Sequence, residues 1–261
     1  GNKPRWDLKM AVYAAMVDRM DRNIGRVMKT LRELEAWDNT LVMFLSDNGP
    51  SNENRTSTPD IPPGGADSYW TVDLPWANLS NTPFRYFKRW HHEGGISTPL
   101  IASWPRVIRQ RGGITREVGQ IIDVMATCVD LAGANYPART GMPPLEGVSL
   151  RPIFEGGQLK WSQPLFWNHR GTWRAVREGR WKLVSADRTV QYNPWRANRR
   201  GRRIRPVPAD LDSLWKLYDV EADRTERHDL AKKYPGRVAR LADLYKAWER
   251  RTSVVRGGEK E

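Results

Sequence analysis

A single cysteine, Cys128, leaves no partner for an internal disulfide and excludes any multi-cysteine metal centre. No apolar run reaches the roughly eighteen residues a bilayer-spanning helix needs, and no amino-terminal signal segment is visible. Gly1 is not an initiator methionine, and a helical pattern begins almost at once. The chain therefore reads as the carboxy-terminal portion of a longer product. Acidic residues are in short supply, 30 against 43 lysines and arginines, for a net charge of +13. That balance favours anionic partners: sulfate or phosphate esters, acidic polysaccharides, nucleic acid or anionic surfaces. Charge alone does not choose among them. Thirteen tryptophans argue against a disordered chain, and 261 residues suffice for one large domain or one plus a small one.

The most informative stretch is Thr40-Leu41-Val42-Met43-Phe44-Leu45-Ser46-Asp47-Asn48-Gly49. A continuous β-rich apolar run reads as a buried parallel strand. In open α/β sheets, ligands sit beyond the carboxyl ends of such strands. Asp47 and Asn48 would offer two hard oxygen donors there, suited to Ca²⁺ or Mg²⁺. Asp-Asn-Gly alone is also a favoured turn. A second cluster follows, Lys88-Arg89-Trp90-His91-His92-Glu93-Gly94-Gly95-Ile96, leading into Thr98-Pro99-Leu100-Ile101-Ala102-Ser103-Trp104-Pro105. Lys88 lies among Tyr86, Phe87 and Trp90, an apolar setting in which an ammonium needs an anion. Most lysines are simply exposed.

Together, at this separation, the two clusters resemble the sulfatase family of the alkaline-phosphatase superfamily. The resemblance implies that Asp47 and Asn48 are metal ligands, for Ca²⁺ or alternatively Mg²⁺. It implies that Lys88, five residues before Glu93 of Glu93-Gly94-Gly95, contacts the sulfate group and serves catalysis. His92 reads two ways, as a residue that orients Glu93 or approaches the substrate, or as a structural histidine. Where the family often carries an arginine two residues after Gly-Gly, this chain has Ser97. No Cys-x-Pro-x-Arg or Cys-x-Ala-x-Arg element surrounds Cys128, which reads as a small buried hydrophobe. The formylglycine nucleophile and the remaining metal ligands are thus expected upstream, and the missing amino-terminal half is the implied partner. By itself the chain is expected to be inactive. Family resemblance suggests a periplasmic or secreted location.

Elsewhere the pattern alternates helices and strands. Apolar positions from Tyr13 to Leu34 predict an amphipathic helix over Asp7 to about Glu35, with its methionine stripe in the core and Gly25 permitting close packing. Pro50 to Ser80 has no convincing period, and its Tyr69, Trp70 and Trp76 suggest a rim over a crevice. Val118 to Leu131 predicts a second helix, with Ile121, Ile122, Val124, Met125, Val129 and Leu131 inward and Gly133 as its cap. Four short strands follow, Pro164–Asn168, Trp173–Arg177, Trp181–Ser185 and Leu214–Asp219, then a helix over Gly236–Arg251. That order predicts a small antiparallel sheet with one face covered. The fold class is α/β: a partial alkaline-phosphatase-like mixed sheet flanked by helices (1–157), followed by a small antiparallel-sheet subdomain with a closing helix (158–261). Two other readings stay open. One is a phosphohydrolase of the same superfamily. The other is a non-catalytic module that binds polyanions through the Arg199 to Arg205 run.

Overall fold

The structure is a computed structural model that describes residues 3–137, 144–159, 163–169, 173–185 and 214–252. The arginine run from Arg199 to Arg205 lies outside these residues. In chain order the elements are α1 (Lys3–Glu33), β1 (Val42–Leu45), α2 (Asp73–Asn81), α3 (Glu93–Ile96), β2 (Leu100–Ser103), α4 (Ile122–Leu131), α5 (Arg151–Phe154), β3 (Leu165–His169), β4 (Trp173–Glu178), β5 (Trp181–Ser185), β6 (Trp215–Asp219) and α6 (Pro235–Arg251). They form a mixed α/β chain with two sheets, β1-β2 and β3-β4-β5-β6. One compact unit gathers residues 1–10, 48–98 and 163–261, and the other residues 11–47 and 99–162.

In the first unit β3 to β6 form a continuous antiparallel meander. Gly179-Arg180 makes the two-residue turn between β4 and β5, with Gly179 at φ +56. Such hairpin turns require positive φ, which glycine adopts without a Cβ penalty. Strand alternation sorts the side chains. Val176, Leu183, Trp215 and Leu217 face α6 and meet its Leu241, Ala242 and Tyr245. Ala175, Val184 and Tyr218 point the other way and form a second buried cluster with Val220. Both faces of this sheet are therefore covered, where the sequence predicted one. The second face carries a lysine, Lys182, that is wholly buried.

The loop after β1 is braced within this unit. Thr71 accepts the Arg55 N–H through its hydroxyl at 2.7 Å, and its own N–H donates to the Arg55 carbonyl at 3.1 Å. Trp70 lies under Arg5 and Lys9 of α1, with the cations 5.2 and 5.1 Å from its ring centre. The Trp76 indole N–H donates to the Trp6 carbonyl at 2.8 Å. Two of the three aromatics expected to form an open rim thus anchor the loop to the first turns of α1. Tyr69 stays exposed.

In the second unit the strand expected to be parallel is paired antiparallel. Val42 to Leu45 lie opposite Ser103 to Leu100. Nor is the pair buried on both sides, since Phe44 and Ile101 are exposed. The long helix keeps the expected period but not the expected burial. Ile24, Met28 and Leu31 are half-buried, whereas Met16 is 65 % exposed and Val17, Met20 and Val27 are open as well. Nothing lies within 4 Å of a Cβ built on Gly25, so the close packing predicted there is absent among the described residues. α4 starts at Ile122, later than predicted, because the buried Asp123 carboxylate accepts the N–H of Gln120 at 2.6 Å and of Val148 at 2.9 Å. The inward residues are Asp123, Ala126 and Thr127, while Ile121, Ile122, Met125 and Cys128 are exposed. Gly133, at φ +59, ends the helix as expected.

Burial should translate into stability. Leu241→Ala is expected to cost about 2–5 kcal/mol in urea unfolding, and Met16→Ala less than about 0.5 kcal/mol. Comparable losses from the two would contradict the exposure of the α1 stripe.

Candidate active site

Three backbone segments cross at the end of the first cluster, and glycine makes the crossing possible. The Gly49 N–H donates to the Gly95 carbonyl at 2.9 Å, and the Lys88 N–H to the Pro50 carbonyl at 3.0 Å. A third bond runs from the Gly94 N–H to the Arg85 carbonyl at 3.0 Å. A Cβ on Gly49 would fall closer than 3.0 Å to the Gly94 carbonyl oxygen. One on Gly94 would strike the Arg85 and Tyr86 carbonyls, and one on Gly95 the Trp90 and Phe87 carbonyls. These are backbone atoms that cannot swing aside. Gly94-Gly95 is thus a site of close backbone approach. Asn81, the last residue of α2, completes the crossing. Its carboxamide donates to the Tyr86 carbonyl at 2.7 Å and the Gly94 carbonyl at 2.6 Å.

Beneath the crossing lies a buried ionic cluster. The Lys182 ammonium sits 2.7 Å from the Glu93 carboxylate and 2.9 Å from that of Glu226. Glu226 also accepts the Glu93 backbone N–H at 2.8 Å, and its carbonyl accepts the Arg85 guanidinium. Arg224 adds a contact to Glu93 at 3.3 Å and one to the Ser97 hydroxyl at 2.7 Å. Burial pushes the Glu93 carboxyl up, but the charge and hydrogen bond of Lys182, with Arg224 and Arg177, outweigh it and hold the group below the usual carboxylate range. For Glu226 burial prevails and its pKa is raised, the neighbouring Glu93 charge adding to the effect. Breaking one partner of such a buried cluster leaves an uncompensated charge, at a typical cost of about 3–5 kcal/mol.

Two histidines pack on the same side. His92 is buried among aromatic rings, 4.7 Å from Tyr86, 5.8 Å from Trp90 and 5.9 Å from Tyr218 between centroids. Its Nδ1 and that of His91 have no hydrogen-bond partner among the described residues. Burial, then the Lys182 charge, lowers both pKa values, that of His91 to about 3. Both rings are neutral at pH 7. This placement favours the reading of His92 as an interior histidine over direct approach to a substrate.

The remaining sequence candidates lie at the surface of this frame. Lys88 is half-buried, and its ammonium has no ion pair among the described residues. It is flanked by two non-glycine residues of positive φ nearby, Tyr86 at 62° and Arg89 at 82°. Asp47 is exposed and Asn48 half-buried, the Asn48 carboxamide donating to the Gly49 carbonyl at 2.9 Å. A carboxylate and a carboxamide oxygen fit a hard cation such as Ca²⁺ or Mg²⁺. They are two donors toward the about six to eight oxygens that Ca²⁺ takes. No group of three or more His, Cys, Asp or Glu among the described residues could hold a metal.

Sequence reasoning missed Asn81, Lys182 and Glu226. Lys182 occupies an ordinary alternating strand position, and Glu226 lies in a turn whose φ of 54° no residue pattern announces.

A family model described as Sulfatase matches residues 2–134, and one described as N-sulphoglucosamine sulphohydrolase, C-terminal, matches residues 83–194. The chain belongs to the sulfatase family. It is 28 % identical to an uncharacterized sulfatase of Schizosaccharomyces pombe over 94 % of this chain and 44 % of that protein. It is 30 % identical to N-acetylgalactosamine-6-sulfatase of Canis lupus familiaris over 72 % of this chain and 31 % of the relative. An arylsulfatase of Klebsiella aerogenes is 35 % identical over 55 % of this chain and 34 % of its own length. The sulfatase chain described here thus spans less than half the length of these curated relatives. Its fold matches the crystal structure of Ps i-CgsB with a TM-score of 0.64 at 22 % identity, covering 94 % of this chain and 44 % of that one.

The buried histidines give this sulfatase chain a pH signature. Below pH 6.5 the unfolded chain protonates His91, while the folded chain resists until about pH 3. Stability present above pH 6.5 is therefore lost as pH falls, at up to about 1.4 kcal/mol per unit. Urea unfolding at pH 7 and pH 4.5 should show this loss, and His91→Gln should make it shallower. An unchanged slope would contradict the assignment.

Proposed function

We propose that this chain is the carboxy-terminal part of a divalent-metal-dependent sulfuric ester hydrolase. In it Asp47 and Asn48 supply two metal ligands, and Lys88 binds the sulfate group. What supports the reading is the pair of backbone hydrogen bonds, Gly49 to Gly95 and Lys88 to Pro50. They hold the Asn48 turn and the Lys88 loop in one frame. Membership in the sulfatase family adds to it, as does the fact that relatives are about two to three times as long as the part matched.

Sulfate-ester cleavage requires a nucleophile, neutralisation of the non-bridging oxygens and a proton for the leaving oxygen. When bound, Ca²⁺ or Mg²⁺ contributes to the second requirement as a Lewis acid. Lys88 contributes to it directly, as a compact positive charge with three donors on a fixed backbone. A half-buried ammonium without an ion pair is suited to an incoming oxyanion. His92, neutral and packed between Tyr86, Trp90 and Tyr218, shapes the underside of the loop. The nucleophile belongs to the upstream portion, as do the other metal ligands and the group that protonates the leaving oxygen. The amino-terminal half of the enzyme is thus the partner this chain requires. A protein of similar fold, BT4656, is described in complex with its substrate, D-glucosamine-2-N,6-O-disulfate. A sulfated sugar is accordingly the substrate class we favour, in a secreted or periplasmic setting.

The isolated chain is expected to turn over no aryl sulfate, with or without Ca²⁺. In the enzyme extended upstream, Lys88→Ala should lower turnover by about 10²–10³, the usual effect of deleting one electrostatic donor. Turnover by this chain alone, or an unaffected Lys88→Ala enzyme, would overturn the proposal.

A further inference from the structure

We propose that Lys182, on the carboxy-terminal sheet, is a positioning residue for the Lys88 loop, so that oxyanion binding depends on a charge the substrate never meets. The inference rests on the reading of Lys88 as the sulfate contact and extends it to the group that holds Lys88 in place.

The loop cannot hold itself. Tyr86 and Arg89 both have positive φ, a conformation that non-glycine residues keep only when their surroundings over-determine it. Arg89 is paired with Glu53 and Tyr86 stacks on Trp90, while the segments on either side of them lead to Lys182. Its ammonium joins Glu93, two residues before Gly95, to Glu226. Glu226 in turn holds the Glu93 N–H through its carboxylate and Arg85 through its carbonyl. The loop is therefore gripped on both sides of Lys88, at Arg85 and at Glu93. From Glu93 the chain runs directly into the Gly95 carbonyl that accepts the Gly49 N–H. Glu226 is itself held at positive φ, 54°. Without the lysine, two buried carboxylates would face each other within one cluster, and repulsion would drive Glu93 and Glu226 apart. Glu93 would keep Arg224, but the ionic link from β5 to the loop would be gone, leaving the ring contacts of His92 with Tyr218 and of Trp90 with Trp173. The sheet has a separate source of cohesion, because its core of Val176, Leu183, Leu217, Leu241 and Tyr245 lies on the opposite face, against α6. Loosening the loop and melting the sheet are therefore separable events.

The test compares the full chain with Lys182→Met, with Lys182→Arg and with the charge-balanced pair Lys182→Met/Glu226→Gln, which leaves Glu93 matched by Arg224. Amide hydrogen exchange followed by NMR reads the loop through the N–H groups of Gly49, Lys88 and Gly95, and the sheet through those of the inner-strand residues Val176 and Leu183. Titration with inorganic sulfate, followed at the Lys88 side chain, reads oxyanion binding. In both methionine variants the loop amides are expected to exchange at least tenfold faster while the sheet amides stay protected. Sulfate affinity should fall at least tenfold, and Lys182→Arg should recover part of both effects. Loop protection that is unchanged in the folded charge-balanced variant would overturn the proposal. So would loss of sheet protection in that variant, since the cluster would then be holding the sheet and not the loop. If Lys88 in the unmodified chain does not respond to sulfate, the sulfatase assignment of that residue fails, and the exchange rates alone still decide whether Lys182 positions the loop.

Discussion

Three glycines at one backbone crossing are the constraint on which the site depends. Gly49, Gly94 and Gly95 bring carbonyl groups to places where any Cβ would collide with main-chain atoms. Through that crossing the turn after Asp47 and Asn48 is hydrogen-bonded to the loop that carries Lys88. A side chain at any of the three positions would push the backbone segments of the crossing apart, because the atoms it would meet are main-chain atoms. The Asn48-Gly49 turn and the loop that carries Lys88 are held together by these main-chain bonds, with the Asn81 carboxamide and the Lys182–Glu93–Glu226 cluster bracing the crossing. Fixed backbone is the form of preorganisation that electrostatic stabilisation requires, because nothing has to reorient when charge develops.

The carboxy-terminal sheet supplies the bed for this arrangement. One face meets α6 in an apolar core, and the other presents Lys182 to Glu93 and Glu226. A buried ion cluster is costly to form and seldom adds stability over apolar packing of the same volume. Under the proposed positioning role its value lies in direction, since an apolar contact would not fix which carbonyl and which N–H of the loop meet Glu226. The same burial keeps His91 and His92 neutral beside a cation.

Much of this was legible in the residues. The four strands of the meander and the closing helix fell within one or two residues of their observed bounds, helped by Gly or Pro at the edges of β3, β4, β5 and α6. The Asp47-Asn48-Gly49 and Lys88…Gly95 clusters stood out by composition and separation. Burial was far less legible. The α1 stripe has the right period, yet Met16 and Val27 are exposed, since periodicity shows which residues share a face and not what covers it. On α4 Ile121, Ile122 and Met125 are exposed while Val124, Val129 and Leu131 are half-buried, because Asp123 and Thr127 turn inward to bind loop amides at Gln120, Val148 and Leu150. Apolar counting misses polar side chains recruited to satisfy backbone groups. Lys182 and Glu226 escaped notice for a related reason: their pairing joins segments remote in sequence, and neither lies in a recognisable motif.

The most direct test of the central claim uses Mn²⁺ as a paramagnetic substitute for the proposed divalent cation. The ion should enhance relaxation at Asp47, Asn48 and Gly49 and also at the Lys88 side chain, and Asp47→Ala should abolish both effects. Mn²⁺ that relaxes neither group, or that relaxes the Asp47–Gly49 turn while leaving Lys88 untouched, would show that cation and oxyanion do not share one site.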